Sequence, residues 1–178
     1  GASTLVAVAE DTLAASISGD TVSNLFTPRF SDSADTFSGG SVANTLAGIA
    51  IVGNNATAGQ GTWEYRNGGV WTSVGSPTAA APLLVASSDS LRFVPKADFN
   101  GVPGALTVRL IDSSTTVTTG ATGADLSNSS NYGGTTAISA ATVALGTSVT
   151  SVNDAPQSAG STTLAAVAED IVSTANGG

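Results

Sequence analysis

Apolar and polar residues alternate along this chain over short runs, and no stretch keeps a 3.6-residue period for long, so the pattern predicts strands. Thr4 to Ala9 reads as a first strand, ended by Glu10-Asp11, and Thr21 to Phe26 as a second, with Val22, Leu25 and Phe26 as its apolar residues. Leu46 to Val52 is a continuous apolar run, short enough for a strand buried on both faces, and Gly53-Asn54-Asn55 ends it. From Gly61 to Val74 two alternating arms flank Asn67-Gly68-Gly69, which supplies the positive φ angles of a tight turn and predicts a β-hairpin. Leu91 to Val94 and Leu106 to Ile111 give two more strands. In the latter, Leu106, Val108 and Leu110 point inward, Arg109 faces out, and Asp112 follows the strand end. Ala137 to Val152 suits one long strand or two shorter ones.

Between these lies Ser113 to Thr136, polar and Gly-rich. Gly120 to Gly134 is expected to form a surface excursion carrying a short hairpin. With about seven to nine strands separated by turn residues, the expected fold is all-β, an antiparallel β-sandwich.

The chain also repeats itself. Leu5-Val6-Ala7-Val8-Ala9-Glu10-Asp11 returns as Leu164-Ala165-Ala166-Val167-Ala168-Glu169-Asp170, identical at six of seven positions. Val152-Asn153-Asp154-Ala155-Pro156 precedes the second copy. A module at 1–154, a linker at 155–161 and the first strand of a next module at 162–178 is the organisation this predicts, one link of a tandem array.

Composition narrows the function. Histidine, cysteine and methionine are absent, which removes disulfides, thiol chemistry, the commonest general base and the usual zinc ligands, and argues against an enzyme. A net charge of −8, with Arg29, Arg66, Arg92, Lys96 and Arg109 scattered singly, offers no basic face for nucleic acid. No run approaches the ~20 apolar residues of a membrane span, so no membrane insertion is expected.

The acids gather at strand ends: Glu10-Asp11 and their copy Glu169-Asp170, Asp32 and Asp35, Asp112, and Asn153-Asp154. Like charges at one pole repel unless a cation neutralises them. Ca²⁺, which accepts about six to eight oxygen ligands in irregular geometry, suits this set better than Mg²⁺ or zinc. Asp20, Asp89, Asp98 and Asp125 read as turn formers or caps, Glu64, on the hairpin's outer face, as a solvated charge paired across the strand, and Trp63 and Trp71 as packing residues.

With these residues in view, the chain resembles the cadherin-like, immunoglobulin-like extender repeats of large bacterial surface adhesins, including those of repeats-in-toxin type. The resemblance rests on Val152-Asn153-Asp154-Ala155-Pro156 as the joint and Ala9-Glu10-Asp11 after the first strand. Leu91 to Pro95, Asp98-Phe99-Asn100-Gly101, Leu106 to Asp112 and the Trp63–Trp71 hairpin add to it. It implies an extracellular, non-catalytic rod of sandwiches on the bacterial surface, with Ca²⁺ stiffening the joints. It further implies that Glu10, Asp11, Asp112, Asn153 and Asp154 converge on the C-terminal joint, while Asp32 and Asp35 face a preceding one. The acidic set is thinner than in cadherins, which implies about one or two ions per joint.

Two other uses suit the same sequence. Residues 162–170 resemble the first strand closely enough to be donated to a neighbouring copy, building a filament by strand addition. The Gly120 to Gly134 loop beside Tyr132 is a candidate surface for carbohydrate. A hydrolase using two carboxylates ranks last, because no acid pair sits in a catalytic context.

Overall fold

The first strand of the chain is broken. In the computed structural model, which describes residues 1–33, 42–156, 158–164 and 166, the Thr4 to Ala9 segment yields β1 (Ala2–Thr4) and β2 (Val8–Ala9). Val6, between them, is 82% exposed. Both segments run parallel to the C-terminal strands β10 (Val143–Gly146) and β11 (Val149–Thr150), β1 beside β10 and β2 beside β11. The remaining ladders are antiparallel, so the expectation of a purely antiparallel fold is corrected at this edge.

Thr21 to Phe26 is a second correction. Only Asp20–Thr21 (β3) is extended, and Val22–Phe26 forms a single helical turn and a half, α1. The Thr21 hydroxyl caps it by accepting from the Asn24 N–H, and Asp20 Oδ1 accepts from Asn24 Nδ2 at 2.8 Å. Val22, Leu25 and Phe26 sit at i, i+3 and i+4, so all three reach the core from one helical face.

The rest is β structure in several sheets with no barrel among the described residues. Five strands in the order β1-β10-β9-β4-β7 form one sheet, with β4 spanning Leu46–Asn54, β7 Leu83–Ala86 and β9 Leu106–Asp112. A four-stranded sheet runs β3-β8-β5-β6, with β5 at Gly61–Asn67, β6 at Val70–Ser73 and β8 at Ser90–Pro95. The hairpin forms as expected. Asn67 pairs with Val70, so Gly68 (φ 58°) and Gly69 (φ 89°) are the two turn residues, and Asn67 closes the ladder.

Ile49, Ile51, Val85, Leu106, Val108, Leu110 and Leu145 from the first sheet meet Trp63, Leu91 and Phe93 from the second in one buried cluster. The inward set read from Leu106 to Leu110 is buried as expected. β4 is indeed covered on both faces, because the 113–136 segment folds back over the outer side of the first sheet. There Ala50, Ile111 and Leu126 form a second small cluster, with Val117, Tyr132 and Ile138 packed against it. This segment is therefore a cover and carries no hairpin. Only a short 3₁₀ turn at Ser129–Asn131 is regular within it. Tyr132 lies under the Arg109 guanidinium, 3.6 Å from the ring centroid, which removes it as an open carbohydrate platform.

No helix among the described residues is long and apolar enough to cross a membrane.

Candidate metal centre

Three turns converge where β2 and β11 end. Glu10 continues the ladder by donating its N–H to Thr150 O at 2.9 Å, and the chain then turns through Asp11, whose φ is 61°. The Thr12 hydroxyl closes that turn on Ala9 O at 2.7 Å. A second turn follows β8, where Phe99 N–H bonds Lys96 O and Asp98 also has φ 61°. Aspartate tolerates this left-handed conformation better than most residues, which suits it to both positions. Gly101 and Val149 exchange paired backbone hydrogen bonds at 2.9 and 2.8 Å, which holds the second turn against β11. The third element is the 152–154 segment that leaves β11.

Glu10 ties the three together. Its side chain is 3% exposed, one oxygen accepts from the Val152 N–H at 2.7 Å, and the other accepts from Asn100 Nδ2 at 3.0 Å. A buried carboxylate is tolerated here because both oxygens have donors. Glu10 therefore has its oxygens committed to the scaffold.

The exposed acids around it form the site. Asp11, Asp98 and Asp154 bring one carboxylate oxygen each to within 4.8 Å of one another. The Asp98 N–H donates to Asp11 Oδ1 at 3.2 Å, fixing one carboxylate relative to the other. Among the described residues no arginine or lysine pairs with these acids; the ion pair present is Arg92–Glu64, elsewhere. Partial desolvation, and then the charges of Asp11, Asp98 and Glu10, hold the Asp154 carboxyl above its ordinary range. Three oxygen donors on exposed turns, with further places open to water, can hold a hard divalent cation.

The positions read from sequence divide between two poles. Glu10, Asp11, Asn153 and Asp154 lie at this one. Asn153 directs its amide to Asp154 O at 3.4 Å and is not one of the three converging oxygens. Asp112 does not join them. It closes β9 opposite Leu46, whereas the three-carboxylate cluster lies beyond the Leu106 end of that strand. Asp112 instead shapes a turn, its Oδ1 accepting from the Ser114 N–H at 2.7 Å and hydroxyl at 2.5 Å. Asp32 lies near Asp112, lining the same depression with Arg29, and accepts from the Asn44 N–H at 2.8 Å. Asp35, Glu169 and Asp170 lie outside the described residues.

Asp98 is the residue that sequence reading missed. Asp-Phe-Asn-Gly read as an ordinary turn, and nothing local tells that this turn docks on β11. Asp20, Asp89 and Asp125 keep local roles: Asp20 beside the α1 cap, Asp89 accepting from the Thr119 hydroxyl, and Asp125 accepting from Ser127. Hydrogen bonds from the Ser127 hydroxyl and N–H lower the Asp125 pKa. No family model, curated protein or solved structure matches this chain.

The direction of the Asp154 shift sets a pH prediction. Because its folded pKa is raised, the folded protein takes up this proton before the unfolded chain does. The mutual repulsion therefore weakens the fold at neutral pH, and relief comes as pH falls through the range just above the ordinary aspartate value. In chelator, Asp154→Asn is expected to melt at or slightly above the parent at pH 7. The difference between the two should shrink as pH falls toward the ordinary aspartate value. Melting curves across that range check it.

Proposed function

We propose that this chain is a non-catalytic extender module of a large bacterial surface adhesin, a β-sandwich whose joint to the next module is stiffened by Ca²⁺ held at Asp11, Asp98 and Asp154. The observation that carries this reading is the position of the three-carboxylate cluster. One of its members, Asp154, belongs to the joint sequence, and the other two belong to turns of the module body. A cation shared among them ties the departing chain to the module and removes a pivot, because its ligands must stay within about 2.3–2.6 Å of one centre. Two sheets contributing to one buried cluster support the sandwich. The resemblance of the joint and of the Leu91 to Asp112 region supports the adhesin setting, and with it an extracellular location.

Ca²⁺ is preferred over Mg²⁺ because turns at strand ends give irregular oxygen geometry. Free Ca²⁺ at tenfold its dissociation constant stabilises a one-site protein by roughly 1.4 kcal/mol. For a chain of this size that is a rise in Tm of roughly 3–6 °C. Calorimetric melting with millimolar Ca²⁺ and with chelator is expected to differ by that amount, and Asp98→Asn should abolish the difference. Asp112→Asn, at the other pole, should leave it intact whatever its own Tm. Equal melting of the parent protein in Ca²⁺ and chelator would remove the calcium reading.

A further inference from the structure

The duplication at the two ends of the sequence extends further than the seven-residue motif. Residues 160–170 match residues 1–11 at eight of eleven positions, Gly1 and Thr4 included, so the second copy covers all of β1 and β2. What matters is where identity is kept. Leu5 is 5% exposed and returns as Leu164. Val8, partly buried against the main core, returns as Val167. Buried Glu10 returns as Glu169, and Asp11 of the acid cluster as Asp170. Ser3 is buried because its hydroxyl donates to Leu25 O at 2.7 Å, and Thr162 keeps a hydroxyl there. The one mismatch within the motif is Val6 to Ala165, and Val6 is 82% exposed. The second copy thus keeps the buried apolar and acidic side chains, keeps a hydroxyl at the buried Ser3 position, and otherwise varies at the exposed Ala2 and Val6.

The seat of the first copy suits exchange. β1 and β2 offer three and two residues of ladder, and β1 is the outermost strand of its sheet. Beneath Leu5 to Val8 lies an open groove of about 300 Å³ bordered by Ile17, Gly19 and Phe93, so the segment is incompletely packed. We propose that residues 160–170 of one copy displace β1–β2 of a second copy and take their place, linking copies of this chain head to tail. The inserted Glu169 would accept from Asn100 and the Val152 N–H of the receiving copy, and Asp170 would complete its acid cluster.

A chain cannot serve itself in this way. The receiving site pairs parallel with β10 and β11, and the connection from Thr150 back to a parallel neighbour has only residues 151–159. Parallel neighbours need a crossover of about a dozen residues or more. The occupant is therefore the tail of another copy. The resident strand competes at an effective concentration of order millimolar, so exchange emerges as the protein approaches that concentration.

The register supplies a direct test. Ala2 lies opposite Ala144, both are exposed, and Ser161 is the counterpart of Ala2 in the second copy. The chain has no cysteine, so a variant carrying both Ala144→Cys and Ser161→Cys has only the designed pair. Neighbouring strands lie about 4.8 Å apart, within the span a disulfide bridges. After heating, refolding and oxidation at about 1 mM, the expected product is a non-reducing ladder of dimers, trimers and longer species. Mass spectrometry should map the disulfide to 144–161. Dilution to about 10 µM should thin the ladder at least tenfold, and adding Leu164→Asp should abolish it. Adding Leu5→Ala, which loosens the resident strand and leaves the donor intact, should restore the ladder at 10 µM. A product that stays monomeric at 1 mM, or a ladder indifferent to Leu164→Asp, overturns the proposal and leaves 160–170 as the opening strand of a covalently linked module.

Discussion

Replacing Trp63 with alanine is expected to lower the unfolding free energy by about 3–5 kcal/mol. Trp63 is fully buried on β5 and meets Phe93 of β8 edge to face, with ring centroids 5.2 Å apart and planes inclined by 63°. Its indole N–H donates to Gly104 O at 2.8 Å. Gly104 lies against the backbone of the opposite loop, where a Cβ would fall 1.9 Å from Asn55 O, so that position admits no side chain. The deletion therefore opens a cavity between the two sheets and also orphans a carbonyl. Trp63→Phe keeps most of the volume and loses the donor, and should cost roughly 1–3 kcal/mol. Urea titrations of both variants at one temperature check the ordering. Equal losses would mean that the hydrogen bond, not the ring, carries the residue.

The same tryptophan illustrates what sequence reveals here. Alternation along Thr62 to Arg66 gives the correct face for Trp63, since a half-buried strand must alternate and the Gly68-Gly69 turn fixes the register of the hairpin. The Leu106 to Leu110 face and the doubly covered β4 follow from the same logic. Where reading failed, the decisive contacts are distant in sequence. Val22, Leu25 and Phe26 fit an apolar strand as easily as a helical face, and a capping hydroxyl from Thr21 tips the balance. Tyr132 looks free until the 113–136 segment is seen to fold onto Arg109 and Ile111.

The candidate metal site divides the same way. Asp11 and Asp154 were legible because the motif repeats and the joint is recognisable, whereas Glu10, expected as a ligand, spends both oxygens on Val152 and Asn100. Asp98 reaches them only because a paired Gly101–Val149 bridge joins turns that are nearly 50 residues apart. Asp112 was assigned to the wrong pole for a related reason. A strand's direction in the sheet decides which end its terminal acid occupies, and one sequence does not state that direction.

The second large effect is expected at Arg92, on the outer face of the four-stranded sheet. Its side chain is 7% exposed, and its guanidinium meets Glu64 across the β5–β8 ladder through Nη2 at 2.6 Å and Nε at 2.7 Å. Nη1 also donates to Ala14 O at 2.6 Å and Ile17 O at 3.0 Å, and Cζ lies 4.2 Å from the centre of the Trp71 ring. Glu64 is paired across the strand as the alternation suggested, but its side chain is only 21% exposed and its partner is a cation that pins the 14–17 segment over the sheet. Arg92→Ala leaves Glu64 without its counter-charge and Ile17 O without its donor, while Ala14 O keeps only the Ile17 N–H, and should cost about 3–5 kcal/mol. Arg92→Lys keeps a charge but cannot reproduce the fork, and should recover only part of that loss. Glu64→Gln, which still accepts a hydrogen bond at a site open to some water, should cost less than Arg92→Ala. If Arg92→Ala and Glu64→Gln proved equally costly, the ion pair would account for the whole effect. A larger loss for Arg92→Ala assigns the excess to the 14–17 carbonyls and the Trp71 face. Hydrogen exchange should then show faster exchange at the Ser16 and Ile17 amides in Arg92→Ala alone.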